Sequence, residues 1–427
     1  MKTILKMREF RLLLSGQAVS SIGDQFNLIA LPWLVLALTH DPLQLGGVLA
    51  AAGSPRALLM LVGGAWADRH SPRTIMLVSD ALRFVLTAAL AAAILAGTAQ
   101  LWMVYVLAVA FGSVSGFFMP AAQATLPRVL AEEQLEAGNS LMMGANQAAS
   151  FLGPVAAGVL IAMFGAGSSG SGQGEASLFG IGMAFAIDAS SFLVSALMLL
   201  AMRRIASPST EAATHPIAGI LEGLRYSLGR VQLRAMFVII ACANFLIAGP
   251  MFVGMPVIAQ TRLGGAAAFG AVMSSYAIGS LIGMVLAGAL PRPNDGAFGW
   301  LVVGLLAGFG GSMAALGYLD ALWAIAALMV ATGIGNGYIG VHAISLLQRM
   351  AAEKYIGRVM SLLSLAMVGL MPMSQALSGL VIRVSPQALF VSAGVGFALL
   401  AAWSLARRDA LALNEAMATP SQGLLEA

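Results

Sequence analysis

Residues 44–98 read QLGGVLAAAGSPRALLMLVGGAWADRHSPRTIMLVSDALRFVLTAALAAAILAGT. Two apolar stretches, 44–67 and 74–98, flank a turn that holds Asp68, Arg69 and Arg73. Each stretch is long enough to cross a hydrocarbon core of about 30 Å as a helix. Three charges gather in the turn, so the segment reads as a membrane hairpin. Ser71 is placed to cap the second helix, and Pro72 suits its first turn.

The same pattern repeats along the chain. Further apolar spans fall at 12–37, 101–126, 139–164, 178–202, 235–259, 267–290, 297–318, 321–347, 359–382 and 387–406. Only 9% of the 427 residues are charged and 59% are hydrophobic, against about 25% charged in a soluble domain. That composition excludes a soluble enzyme and a disordered chain. The expected fold class is an all-α membrane protein with twelve transmembrane helices in two six-helix, pseudo-repeated halves. Its parts are a first half at 1–202, a cytoplasmic linker with a surface helix at 203–234, a second half at 235–406 and a tail at 407–427. In the linker, Ile217, Leu221, Leu224, Leu228 and Val231 recur at helical spacing. The apolar run at the N-terminus is broken by Gln17, Asp24 and Gln25 with no small-residue cleavage site, and reads as an uncleaved first helix.

Of 22 Lys and Arg, all but four fall at the N-terminus or in alternate loops on one side. Arg262 and Arg383 lie opposite, and Arg56 and Arg83 lie within spans. This asymmetry places both termini in the cytoplasm. A net charge of +4 distributed in this way speaks for orientation and not for nucleic acid. The halves align under a shift of 224: Pro32 on Pro256, Gly46 on Gly270, Val48 on Val272, Met60 on Met284 and Gly64 on Gly288. Repeated halves about a central pathway are a transporter architecture.

Five charges sit within spans, all in the first half: Asp24, Arg56, Asp80, Arg83 and Asp188. Asp24 lies about 20 Å from the cytoplasmic end of its helix and Arg56 about 18 Å from the same side, at about 1.5 Å per residue. A lone charge at that depth is costly, so an Asp24–Arg56 pair is expected, with Pro55 bending the helix beside it. Asp24 would exchange a proton or a cationic group, and Gln17 shares its face. Asp188 is the next coupling candidate, with Ser190 and Ser191 as its partners. Asp80 and Arg83, at i and i+3, pair near the cytoplasmic end and link to Arg69 or Arg73. A further expectation assigns Gln17, Asn27, Phe245, Met251, Phe252, Met255, Tyr276, Tyr338, His342 and Met371 to the wall of a central cavity.

The single Cys242 and four scattered histidines exclude a disulfide and a metal cluster, and no catalytic constellation is visible. No cofactor is expected. The absence of Gly-x-x-x-x-Gly-Lys-Ser/Thr argues against ATP-driven transport.

The turn Gly64-Ala-Trp-Ala-Asp68-Arg69-His-Ser-Pro-Arg73 resembles the Gly-x-x-x-Asp-Arg-x-x-x-Arg signature of the major facilitator superfamily. The resemblance implies a cytoplasmic gate in which Asp68 meets the helix that begins near Val359, after Gly357-Arg358. In the fifth span, Ala149-x-x-x-Gly153-Pro154-x-x-Ala157-Gly158 resembles the motif of the superfamily's drug/proton antiporters, with Ala at two Gly positions. The resemblance implies export. Several stretches look most like the bacterial enterobactin and macrolide exporter branch: SSIGDQFNLIALPWLVL, FFMPAAQATLP, Asp188-Ala-Ser-Ser-Phe192, EGLRYSL and Gly357-Arg358-Val-Met-Ser. One departure is that 101–126 lacks the basic residue common in such antiporters.

Together these readings imply a secondary active exporter of a small amphipathic compound, a drug, macrolide or siderophore-like molecule. It would work by proton antiport and alternating access, as a monomer in a bacterial inner membrane. Its partners would be substrate, protons and lipid. An uncoupled facilitator or importer of a lipid or metabolite with the same fold is the first alternative, and a non-transporting membrane receptor the second.

Overall fold

The computed structural model describes residues 4–165, 178–203, 225–290, 298–351 and 355–406, and among these there is no strand. The first six long helices are α1 (Arg8–Thr39), α2 (Pro42–Arg69), α3 (Pro72–Leu95), α4 (Leu101–Val129), α5 (Leu135–Gly165) and α6 (Leu178–Ala201). There follow α7 (Val231–Arg262), α8 (Ala266–Ala289), α9 (Phe298–Leu316) and α10 (Leu322–Met350). Next come α11, in two pieces (Ile356–Val368 and Met371–Val381), and α12 (Pro386–Ala406). Eleven of these are long and apolar enough to cross a bilayer. The remaining helix, α2, is also long enough to cross at 28 residues, and it carries Arg56 and Pro55 within its length.

Short connections set neighbouring helices antiparallel. Between α1 and α2, His40 takes a left-handed conformation at φ 52° and Asp41 caps α2 by accepting from the Leu43 N–H at 3.0 Å. Pro42 occupies the first turn, where its missing N–H leaves no bond unmade. Ser71 does occupy the N-cap position of α3, with Pro72 behind it, but its side chain makes no capping bond. Both α2 and α5 run as unbroken helices through Pro55 and Pro154. The surface helix expected in the linker falls largely on 204–224, outside the described residues; Arg225–Gly229 is helical.

The chain forms two compact units. Unit 1 is Met1–Ala213 with Met255–Ser274; unit 2 is Thr214–Gly254 with Ser275–Ala427. The segment from the second half joins unit 1 through small residues. Ser274 donates its hydroxyl to the Phe151 carbonyl at 2.7 Å, and Trp33 stacks on Phe269 at 5.5 Å. A Cβ on Gly158 would stand 2.5 Å from the Ala266 carbonyl oxygen. In lipid the tails are as apolar as the side chains, so close backbone approach and van der Waals contact hold such helices together. Large apolar residues accordingly face outward, among them Leu58, Val85, Trp102, Met163, Trp323 and Leu399. At one end of unit 1, Phe10, Leu13, Met76, Phe118, Leu126 and Leu199 close a buried cluster.

Candidate functional site

The deep polar residues of unit 1 converge on one stretch of α1, Gly23-Asp24-Gln25-Phe26-Asn27. Gly23 lets α1 touch α6: any Cβ there would collide with the Ser191 hydroxyl and stand 2.9 Å from the Asp188 Oδ1. That approach brings Asn27, one turn on, to Asp188. The Asn27 amide donates to Oδ2 at 3.0 Å. Gly153 of α5 gives the same closeness on the other side, where its Cβ would lie 2.5 Å from the Gln25 Cβ. Ala149 and Ala157 of the same α5 motif are buried beside it, and Gly158 receives Ala266. The motif expected in helix 5 is therefore a packing face of small residues.

Asp24 and Arg56 lie deep within unit 1, yet both side chains are exposed. A lipid-facing charge at that depth is costly, which favours a polar surrounding for both groups. The expected Asp24–Arg56 ion pair is not formed: among the described residues no contact within 4.0 Å joins them. Matched depth placed them at one level, but depth does not fix the direction in which each side chain leaves its helix. Asp24 remains within electrostatic reach of both Arg83 and Arg56.

Asp188 is fully buried. Its expected serine partners point elsewhere: Ser191 donates to the Asp188 backbone carbonyl at 2.7 Å, and Ser190 to that of Ala186. Serine hydroxyls in a helix find the preceding turn's carbonyl first, which left the carboxylate to Asn27.

Asp80 and Arg83 do pair, at 3.9 Å, and both are buried. Ser195 of α6 donates to Asp80 Oδ2 at 2.6 Å. The Arg83 guanidinium lies over the rings of Phe118, Phe111 and Phe192 at 4.3, 5.4 and 5.5 Å. These faces supply cation–π attraction where water is absent. The expected link from this pair to Arg73 is not made. Arg73 instead donates to the Leu199 and Leu200 carbonyls at 2.7 and 3.0 Å, and Arg8 to that of Ala201 at 2.8 Å. Two cations thus satisfy the last carbonyls of α6 and complement its dipole. The side chains of Gly64, Asp68, Arg69 and Arg358 lie outside the described residues, and with them the expected gate contact.

Of the expected cavity wall, Gln17 and Asn27 belong to unit 1, where the Gln17 Nε2 is buried without a partner. Met251 and Met255 are buried packing residues and do not form an accessible wall. In unit 2, Phe245, Phe252, Tyr276, Tyr338 and Met371 are partly accessible. His342 is buried in edge contact with Tyr338 at 4.7 Å and Phe298 at 6.5 Å, and borders a cavity of about 260 Å³ with Ser345 and Arg349.

Sequence reasoning missed the Asn27–Asp188 bond, the aromatic box and a π-helical turn at Pro250–Gly254 in α7. That turn sits where Ser374 of α11 accepts from the Gly249 N–H at 2.9 Å and donates to the Phe245 carbonyl. Such turns interrupt helices at functional sites. The first two are contacts between distant helices; only the Gly23 and Gly153 spacing hinted at close approach there.

This arrangement of helices and midspan charges fits a known family. The superfamily's sequence model matches residues 13–374. The chain belongs to the Major Facilitator Superfamily. It is 25% identical over 377 residues to the multidrug efflux pump Tap of Mycolicibacterium fortuitum, covering 86% of this chain and 88% of Tap. It is 21% identical over 353 residues to the enterobactin exporter EntS of Escherichia coli O81, covering 82% and 79%. To the transporter YfiS of Bacillus subtilis it is 28% identical over 235 residues, spanning 54% of this chain and about half, 51%, of YfiS. A bacterial homolog of the human lysosomal transporter Spinster shares the fold at a TM-score of 0.69 and 15% identity, with 94% and 96% of the chains covered. A bacterial homologue of the iron transporter ferroportin does so at 0.64 and 18%, with 93% and 99% covered. As a superfamily member, the chain is a multi-pass membrane transporter of small molecules and not an enzyme.

Proposed function

We propose that this transporter is a secondary active exporter of a small amphipathic compound, driven by proton antiport through alternating access. The observation that carries the reading is Asp24: a carboxylate deep in unit 1, exposed, and without an ion contact among the described residues. A carboxylate so placed takes a proton or a cationic group from water without first breaking a salt bridge. The names of Tap and EntS, an efflux pump and an exporter, support the outward direction. The Lys/Arg asymmetry supports cytoplasmic termini in a bacterial inner membrane. The Gly64–Arg73 motif serves as the cytoplasmic gate, and the working unit is a monomer.

The absence of a basic residue between Leu101 and Leu126 favours one rival, an uncoupled facilitator. Purified protein in weak buffer, challenged with lipophilic cations, macrolides and catechol siderophores, separates the two. Antiport predicts proton release on binding that is lost in Asp24→Asn. Binding without proton release assigns the facilitator.

A further inference from the structure

Asp188 is a buried carboxyl that the exchange at Asp24 does not by itself use. It is 0% exposed at the middle of α6. Asn27 holds Oδ2, while Oδ1 is buried without a hydrogen-bond partner. Oδ1 lies against Gly23, and the next residue of α1 is Asp24. A sealed carboxyl and an open one therefore flank a single glycine.

The groups that face Asp188 come from each helix packed on α6. From α1 come Asp24 and Asn27, and from α3 comes Arg83, which is itself paired with Asp80. The α5 helix carries no charged residue beyond Glu136, near its start. Arg83 acts on both Asp24 and Asp188 through space, but its contacts are Asp80 and three aromatic rings. Arg56 reaches Asp24 from α2. Three carboxylates thus face two guanidiniums, and one proton makes the set neutral. A buried carboxylate with an unmet oxygen is costly to keep charged, and two neighbouring carboxyls titrate as one system.

We infer that Asp24 and Asp188 hold one proton between them, resting on Asp188 and exchanging with water through Asp24, with Asn27 as the positioning residue. In the transfer, the O–H bond of the Asp188 carboxyl breaks, one forms on the Asp24 carboxylate, and the negative charge passes from Asp24 to Asp188. Asn27 meets either form, donating its amide N–H to the carboxylate or accepting the acid's O–H on its amide oxygen after the amide turns. The role in coupling rests on the antiport reading; the shared proton itself is a property of the resting protein.

Infrared difference spectroscopy on the purified full chain in lipid nanodiscs, in H2O and D2O near neutral pH, tests the inference. The expected result is a carboxylic-acid C=O band that is lost in Asp188→Asn and shifts in frequency in Asn27→Leu. In Asp24→Asn the band persists but exchanges more slowly with D2O. Absence of the band in the native protein, its survival in Asp188→Asn, or unchanged exchange in Asp24→Asn overturns the inference. Should Asp188→Asn fail to fold, the Asn27→Leu shift and the Asp24→Asn exchange rate still decide. Uphill transport is measured on the same purified proteins reconstituted in proteoliposomes. Loss of gradient coupling with the band intact counts against the exporter alone, and a missing band with coupled transport intact counts against the shared proton alone.

Discussion

Among single residues, the charges of unit 1 divide by what satisfies them. Asp80 and Arg83 are closed off by Ser195, by each other and by aromatic faces, whereas Asp24 and Arg56 are open. Arg73 is the third case, a cation buried on the end of α6. Its replacement by Ala strips the Leu199 and Leu200 carbonyls of a charged donor, a change worth about 1.5–3 kcal/mol per bond. Thermal unfolding in detergent should show a clear fall for Arg73→Ala and only partial recovery for Arg73→Lys, whose ammonium lacks the planar fork. Equal stability of all three would refute the capping role. The charges themselves and their depth were legible in the sequence, because position along a helix converts directly to distance. Their partners were not: depth says nothing of the direction in which a side chain leaves its helix, so it suggests Arg56 for Asp24, and Arg69 or Arg73 for the Asp80–Arg83 pair.

For the helices, close approach through small residues is what positions the site. Gly23 and Gly153 let α1 sit between α6 and α5, and this alone carries Asn27 to Asp188. The two glycines of α5 that differ in surroundings supply a controlled test. A Cβ at Gly158 would press on the Ala266 backbone, while at Gly144 it would meet nothing within 4 Å. Gly158→Ala should therefore lower stability by about 1–3 kcal/mol, the usual cost of overpacking. Gly144→Ala should leave the unfolding temperature unchanged or raised. The helices and the helix 5 motif could be read ahead of the structure, since hydropathy and Gly-Pro punctuation are local signals. The π-helical turn of α7 could not, because Ser374, more than a hundred residues away, hydrogen-bonds to the backbone at its start.

In the whole molecule, membership of the superfamily and the asymmetry of Lys and Arg give orientation a firm prediction. In a Cys242→Ser background, Gln100→Cys should react with an impermeant thiol reagent added outside intact cells. Ala131→Cys should react only after the membrane is opened. Both positions are exposed, so the contrast reports sidedness and not burial. The reverse pattern would invert the topology. Function at this scale rests on whether a proton gradient does work through Asp24. The decisive measurement is substrate accumulation in proteoliposomes under an imposed pH difference, comparing the native protein with Asp24→Asn. The account predicts accumulation against the substrate gradient for the native chain and only downhill equilibration for the variant. Uphill accumulation by Asp24→Asn equal to that of the native protein would contradict it.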